Sequence, residues 1–265
     1  MEKPLDSKLI LVTRPRGQAQ ELCEQFHALG AETLCQPAIE IRATPKMKLL
    51  DDALRRLVES QYDLVVFNSA NGVAFALERL MVISSFSQAD EVGALFARLN
   101  FRVAAIGPGT ARALANFGIE PTIMPSRYDA DGLVDALRAE YADLSSVRAL
   151  AFRANRGRAT LGNALRAADS QYEEVEAYQN VDVQTAEEET LRALESGAVA
   201  AAVAMSSASA NALVNMLGDA VHRVRWVAIS ALTAQAFEAR GVEVAAIARE
   251  ATTDALVDAV VELLT

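Results

Sequence analysis

Along this chain, short runs of consecutive apolar residues alternate with longer stretches in which apolar positions recur three and four apart. LILVT (9–13), DLVVF (63–67), VAAI (103–106), VRALAF (147–152), AVAAAVAM (198–205), WVAI (226–229) and VEVAAI (242–247) read as buried strands. Between them QELCEQFHAL, MKLLDDALRRLVES, ARALANFG, TLGNALRAA and TAQAFEARG predict amphipathic helices, with Gly30, Gly118 and Gly241 suited to the left-handed residue that ends a helix. This alternation predicts α/β layers around parallel sheets.

The pattern repeats. VVFNSANGVAFALERL (65–80) aligns with VAMSSASANALVNML (203–217), which sets Ser69 over Ser207. IGPGTARALANFGIEPTIM, continuing into DADGLVDAL, aligns with ISALTAQAFEARGVEVAAI and TTDALVDAV, so Thr110 falls over Thr233 and Gly118 over Gly241. LVTRPRG matches LAFRANRG, with Arg14 over Arg153. Two α/β lobes related by duplication follow; two units are too few for a solenoid. PAIEIRATP (37–45) and VEAYQNVDV (175–183) are extended, occupy equivalent places and set Ile39 opposite Tyr178. They predict a two-stranded connection between lobes, with a cleft where a ligand would sit.

Composition narrows the function. Of 265 residues, 52% are apolar and 23% charged, as in a chain that folds on its own. The formal charge of −10 disfavours nonspecific nucleic-acid binding, and an anionic ligand would need local arginines and backbone N–H groups. No run is long enough to span a bilayer and MEKPLDSK leads directly into LILVT, so a cytoplasmic protein without a membrane partner is expected. Cys23 and Cys35 lack metal-ligand spacing; two buried thiols are expected in preference to a disulfide or redox pair.

Candidate ligand contacts lie in the turns after the buried strands. Ser69, Ala70, Asn71 and Gly72 open one helix, Gly107, Pro108, Gly109 and Thr110 another, Ser207, Ala208 and Ser209 a third, and Thr233 belongs to the counterpart of the second. Free N–H groups at helix starts attract carboxylates and small side chains let them approach. Each serine reads equally well as a plain helix cap. Arg14 and Arg153, with Arg16, Arg156 and Arg158 nearby, offer forked donors for carboxylates, against the ordinary reading of solvated surface arginines. His27 and His222 lack partners in local sequence and read as structural or surface residues, and the acidic run 187–189 as a solvated helix start.

LVTRP, FNSANGV, IGPGTARAL, PSRYDADGLVDAL, VEAYQNV, MSSASA, ISALTAQAF and EATTDALVDAV, in this order and spacing over nearly the whole chain, resemble the uroporphyrinogen-III synthase family. The resemblance implies two flavodoxin-like parallel-sheet lobes. One is discontinuous (1–37 and 184–265), the other spans 44–174, and 38–43 with 175–183 form the connecting β ladder. It implies a cofactor-free and metal-free lyase that closes hydroxymethylbilane into uroporphyrinogen III while inverting the terminal pyrrole. The expected partner is that small molecule, handed on from hydroxymethylbilane synthase, and the expected state a monomer. Control of substrate conformation is then the main demand, so no triad or cofactor fingerprint is needed. Tyr178 is the residue to which the resemblance assigns chemistry, as donor to the departing hydroxyl; the other reading is a tyrosine packed on the ladder. Ser230 stands where glycine is expected, Asn68 where threonine is frequent, and MSSASA lacks a proline.

Two other classes compete. A two-lobed module that senses or binds an anion or tetrapyrrole without chemistry is favoured by Ser230. A nucleotide-binding protein using GPGT as a phosphate cradle lacks both the lysine of a phosphate loop and a full GxGxxG.

Overall fold

The computed structural model describes residues 3–157 and 159–265; Arg158, grouped above with Arg153, lies outside them. The chain order begins β1 (Leu9–Val12), α1 (Arg16–Ala28), β2 (Glu32–Cys35), β3 (Ile39–Ala43), α2 (Met47–Val58), β4 (Leu64–Phe67), α3 (Ala70–Ser84) and α4 (Ala89–Phe96). It continues with β5 (Arg102–Ala105), α5 (Pro108–Ala115), α6 (Ala130–Glu140), β6 (Arg148–Ala154), α7 (Thr160–Ala167) and β7 (Gln171–Asp182). The last part holds α8 (Glu188–Glu195), β8 (Val199–Ala204), α9 (Ser207–Leu217), β9 (Trp226–Ala228), α10 (Ala231–Glu238), β10 (Val244–Ile247) and α11 (Thr253–Leu264). No helix among the described residues is long and apolar enough to cross a membrane.

These elements form two compact units, one combining residues up to Ile41 with Val181–Thr265, the other Arg42–Asn180. The sheet of the first unit has the order β2-β1-β8-β9-β10, with every neighbouring pair parallel. Counted along this unit that is 2-1-3-4-5, the doubly wound flavodoxin-like order. The other sheet has the order β3-β7-β6-β4-β5. Counting from β6, its parallel strands β7-β6-β4-β5 give 2-1-3-4, and a parallel bridge between Ala104 and Ile123 supplies the fifth place. The duplication read from sequence is thus realised in topology.

Why the strands read as unbroken apolar runs is visible in the first unit. Leu11, Ala202 and Ala204 pack on one face with Trp226, Leu213 and Phe237. Their neighbours Ile10, Val12, Ala201 and Val203 pack on the other with Leu22, Phe26 and Leu256. Helices cover both faces of β1 and β8, and every residue of these two strands is apolar.

In the second unit α2 and α3 are joined by a two-pronged ion pair, Arg79 Nε and Nη2 donating to Asp51 at 2.6 and 2.7 Å. The guanidinium holds the Asp51 carboxyl below its ordinary range. A depressed carboxylate stabilises the fold above its unfolded pKa, near 3.9, and that contribution fades as pH falls through the folded value. Arg79→Met is therefore expected to cost roughly 2 kcal/mol at neutral pH, less than a fully buried pair because both groups keep some contact with water. The difference from the parent should shrink below about pH 4, in urea titrations followed by circular dichroism.

Candidate functional site

In a doubly wound sheet, helices leave the two central strands toward opposite faces, and a crevice opens beyond their carboxyl ends. In the second unit these strands are β6 and β4. Phe67 and Phe152 pair there across the sheet with rings stacked 5.5 Å apart. Two residues beyond Phe67, Ser69 caps α3, its Oγ accepting from the Gly72 N–H at 3.0 Å. Gly72 lets this first turn settle on β6: a Cβ there would stand 3.1 Å from the Phe152 carbonyl oxygen, so a larger residue would push the turn away.

Tyr178 joins this cap from the other side of β6. Up to Arg153 the β6 and β7 residues pair in step, Arg153 with Glu176; the register then slips and Ala154 pairs with Tyr178. The slip carries the phenol to 3.0 Å from Ser69 Oγ, where the ring is buried and stacks on Phe75 at 5.6 Å. Asn155 secures the arrangement. Its N–H donates to the Tyr178 carbonyl (3.0 Å) and its Oδ1 accepts from the Asn180 N–H (2.9 Å), so the side-chain amide extends the ladder past the end of β6.

The Ser69–Tyr178 pair carries two hydroxyl protons and spends one on its own hydrogen bond. The other remains for a ligand, whichever partner donates. This counting makes Ser69 testable at two levels. Ser69→Ala removes a cap and the support of the phenol together, so a loss of about 1 kcal/mol in stability is expected. Ser69→Asp restores the cap, and thermal melts should place it close to the parent while Ser69→Ala stays low.

The β5–α5 turn lies on the same edge. Gly107, the cap position of α5, has fully extended backbone that any residue adopts; a Cβ there would stand 3.1 to 3.4 Å from the exposed side chain of Tyr128, which would have to shift slightly to admit it. Gly109 is open, with nothing within 4 Å of an added Cβ, while Thr110 is buried. In the first unit the equivalent of Gly107 is Ser230, also extended, whose Oγ accepts from Thr233 N at 3.3 Å. Serine in place of glycine is thus a helix cap, and Thr233 is buried beneath it.

The central strands of the first unit are β1 and β8. Thr13 Oγ1 donates to the Val203 carbonyl (2.7 Å), and Arg14 follows, half-buried and, among the described residues, with no ion pair or side-chain hydrogen bond. The cap of α9 is Ser206, in a reciprocal box with Ser209. It corresponds to Ser69, so the sequence alignment, which set Ser69 over Ser207, is one residue out. The S-x-x-S spacing of Ser206 and Ser209 was the available signal. Ser207 Oγ instead donates to the Leu232 carbonyl (2.8 Å), tying α9 to α10, while Ala208 is exposed and Ser209 buried.

Arg153 differs from its counterpart Arg14. It still belongs to β6, and its Nη1 donates to Glu174 at 2.7 Å. An incoming carboxylate would have to replace Glu174, whereas Arg14 is ready to receive one. Ala70 and Asn71 follow Ser69 as the first residues of α3, and Asn71 has a partner of its own.

The helix starts share an electrostatic feature. The first turns of α1, α3, α5, α9 and α10 contain no acidic residue, while α6 and α11, which follow the outer positions of the two sheets, begin with Asp131 and Asp254. After β1, β4, β5, β8 and β9 the positive helix ends are thus left uncompensated, which favours anionic groups there.

The family model for uroporphyrinogen-III synthase HemD matches residues 20–258. Among curated proteins, a uroporphyrinogen-III synthase of Synechococcus elongatus is 30% identical over 134 residues, 51% of this chain and 47% of that one. One of Salmonella typhimurium is 33% identical over 176 residues, 64% of each chain. The matched part thus spans about half to two thirds of these relatives. Solved uroporphyrinogen III synthases of Thermus thermophilus (TM-score 0.62, 18% identity, covering 97% of this chain and 98% of that one) and Helicobacter pylori (TM-score 0.61, 15% identity, covering 97% and 99%) share the fold. With a family model running from within α1 into α11, the chain belongs to the uroporphyrinogen-III synthase family.

Proposed function

We propose that this protein cyclises hydroxymethylbilane to uroporphyrinogen III, releasing water and inverting the last pyrrole. The family match over residues 20–258 carries this reading. The substrate is a flexible chain of four pyrroles with acetate and propionate arms. Its hydroxyl leaves readily because the electron-rich pyrrole stabilises the azafulvene cation, and uncatalysed closure gives the symmetrical isomer I. To obtain isomer III the azafulvene carbon must attack the substituted carbon of the last ring, pass through a spiro intermediate and release that ring inverted. Holding the arms is the larger part of the task.

The residues in hand suit it. Uncompensated helix starts at Ser69, Gly107, Ser206 and Ser230 offer N–H groups to carboxylates, and Arg14, without an ion pair among the described residues, offers a fork. The Ser69–Tyr178 pair offers one hydroxyl proton to the departing oxygen. Hydroxymethylbilane synthase would supply the substrate, and the enzyme would act as a cytoplasmic monomer.

The test is to add the protein to freshly made hydroxymethylbilane and resolve the isomers by chromatography. Isomer III should dominate. Isomer I alone, formed at the uncatalysed rate, would overturn the reading, and tight binding of uroporphyrinogen without turnover would replace it with a sensing role. Ser230, the feature that favoured a sensor, is explained as a cap and no longer argues for one.

A further inference from the structure

Two thiols meet at the carboxyl end of β2, where Cys35 pairs with Val12 of β1. Cys23 lies on the buried side of α1, 9% exposed, and Cys35 ends β2, less covered. Both are free, and their sulfurs are 3.4 Å apart. Bonded sulfurs stand about 2.05 Å apart, so roughly 1.4 Å of closure separates this contact from a disulfide.

We infer that Cys23 and Cys35 form a reversible oxidation site, which a small peroxide converts to an intramolecular disulfide stapling α1 to β2. In the first step one sulfur, as thiolate, attacks a peroxide oxygen; the O–O bond breaks, hydroxide leaves and a sulfenic acid forms. In the second the other sulfur, already in contact, attacks the first; the S–O bond breaks and water leaves after taking up the proton of the attacking thiol. The net change is two thiols and hydrogen peroxide to one disulfide and two waters. The peroxide is reduced and the sulfurs are oxidised. Because the second sulfur is in place, the sulfenic acid closes before further oxidation.

The surroundings set the character of the site. Burial, together with the neighbouring Cys23 sulfur, pushes the Cys35 thiol up to about 11. Since the thiolate is the reactive form, this pair reacts more slowly than a dedicated peroxide thiol, and Cys23 is covered enough to exclude bulky oxidants. Geometry makes the product intramolecular. The staple would also reinforce an existing tie: Arg16, at the start of α1, pairs with Glu187, whose N–H donates to Oε1 of Gln36, the residue after Cys35, at 2.7 Å.

The experiment exposes the full chain to a small excess of hydrogen peroxide, quenches with an alkylating agent under denaturing conditions and reads thiols by peptide mass spectrometry. Both thiols should disappear together, with a Cys23–Cys35 cross-linked peptide two hydrogens lighter than its parts, reversed by dithiothreitol. Amide exchange in α1 should slow about five-fold or more in the oxidised form. Cys23→Ser and Cys35→Ser, checked for folding by circular dichroism, should each leave a single thiol whose sulfenic acid is trapped by dimedone. The inference falls if both thiols remain alkylatable, or if oxidation ends in sulfinic acid or in disulfides between chains without the internal cross-link. None of these readings depends on the cyclisation activity.

Discussion

Trp226→Ala is expected to remove about 3 to 5 kcal/mol from the stability of the first unit, the usual cost of emptying a fully buried aromatic site. Trp226 is 0% exposed on β9, and its ring stands 4.8 Å from that of Phe237 on α10. Its Nε1–H donates to the Val221 carbonyl at 2.8 Å, so truncation also leaves an acceptor without its donor. Trp226→Phe separates the two contributions: most of the volume stays, the hydrogen bond goes, and a loss of about 1 to 2 kcal/mol is expected.

The aromatic residues allow the two units to be followed separately. The one tryptophan belongs to the first unit, and all five tyrosines, Tyr62, Tyr128, Tyr141, Tyr172 and Tyr178, to the second. Urea unfolding of the parent, followed by tryptophan fluorescence and tyrosine near-ultraviolet dichroism, therefore reports each unit. The Trp226 variants are read by far-ultraviolet dichroism. A midpoint for Trp226→Ala that implies less than about 1 kcal/mol of loss would mean that the helices of the first unit close over the cavity.

The same physics decides which parts of the structure are legible in sequence. β4 and β8 are covered on both sides by helices, so LVVF and VAAAVA have almost no polar choice and stand out. β2 carries Glu32 and Thr33 at the edge of its sheet and has no fully buried residue, and it leaves no comparable signature. Serine before a helical stretch marks Ser69 as a cap, but two adjacent serines at 206 and 207 leave the register of the second half open by one residue until the hydrogen bonds are placed.

Asn155 shows the limit most clearly. Its side chain acts as a length of strand only because β6 and β7 slip by one residue after Arg153, and no local pattern encodes that slip. Arg153 is similar: the repeat marks it as the partner of Arg14, whereas Glu174, twenty-one residues later, determines that its charge is already matched. Tyr128 falls over Ala251 in the duplication, so the repeat does not reveal that its side chain is what a Cβ at Gly107 would meet.

Tyr178→Phe should slow conversion of hydroxymethylbilane by roughly 10 to 100 fold while isomer III still predominates. A positioned acid typically contributes about 10² to 10⁴ fold. Here the hydroxyl departs readily without help, so the effect belongs at or below the bottom of that range. Phenylalanine keeps the ring that stacks on Phe75, and it leaves Ser69 Oγ in place as the cap of α3, so the shape of the site and the stability of the unit should change little. What is lost is one of the two hydroxyl protons of the pair. Ser69 then has its own proton free, and this residual donor keeps the expected loss from being larger. Ser69→Ala in the Tyr178→Phe background removes that donor too and should slow the reaction further, whereas two residues that serve only packing would show simple addition of their stability costs and no loss of rate. Single-turnover rates and isomer ratios for the parent, both single variants and the double variant make the measurement, with dichroism to confirm folding. If folded Tyr178→Phe stays within about two-fold of the parent rate, the phenol is a packing residue on β7, and the departing hydroxyl leaves without a side-chain donor from this pair.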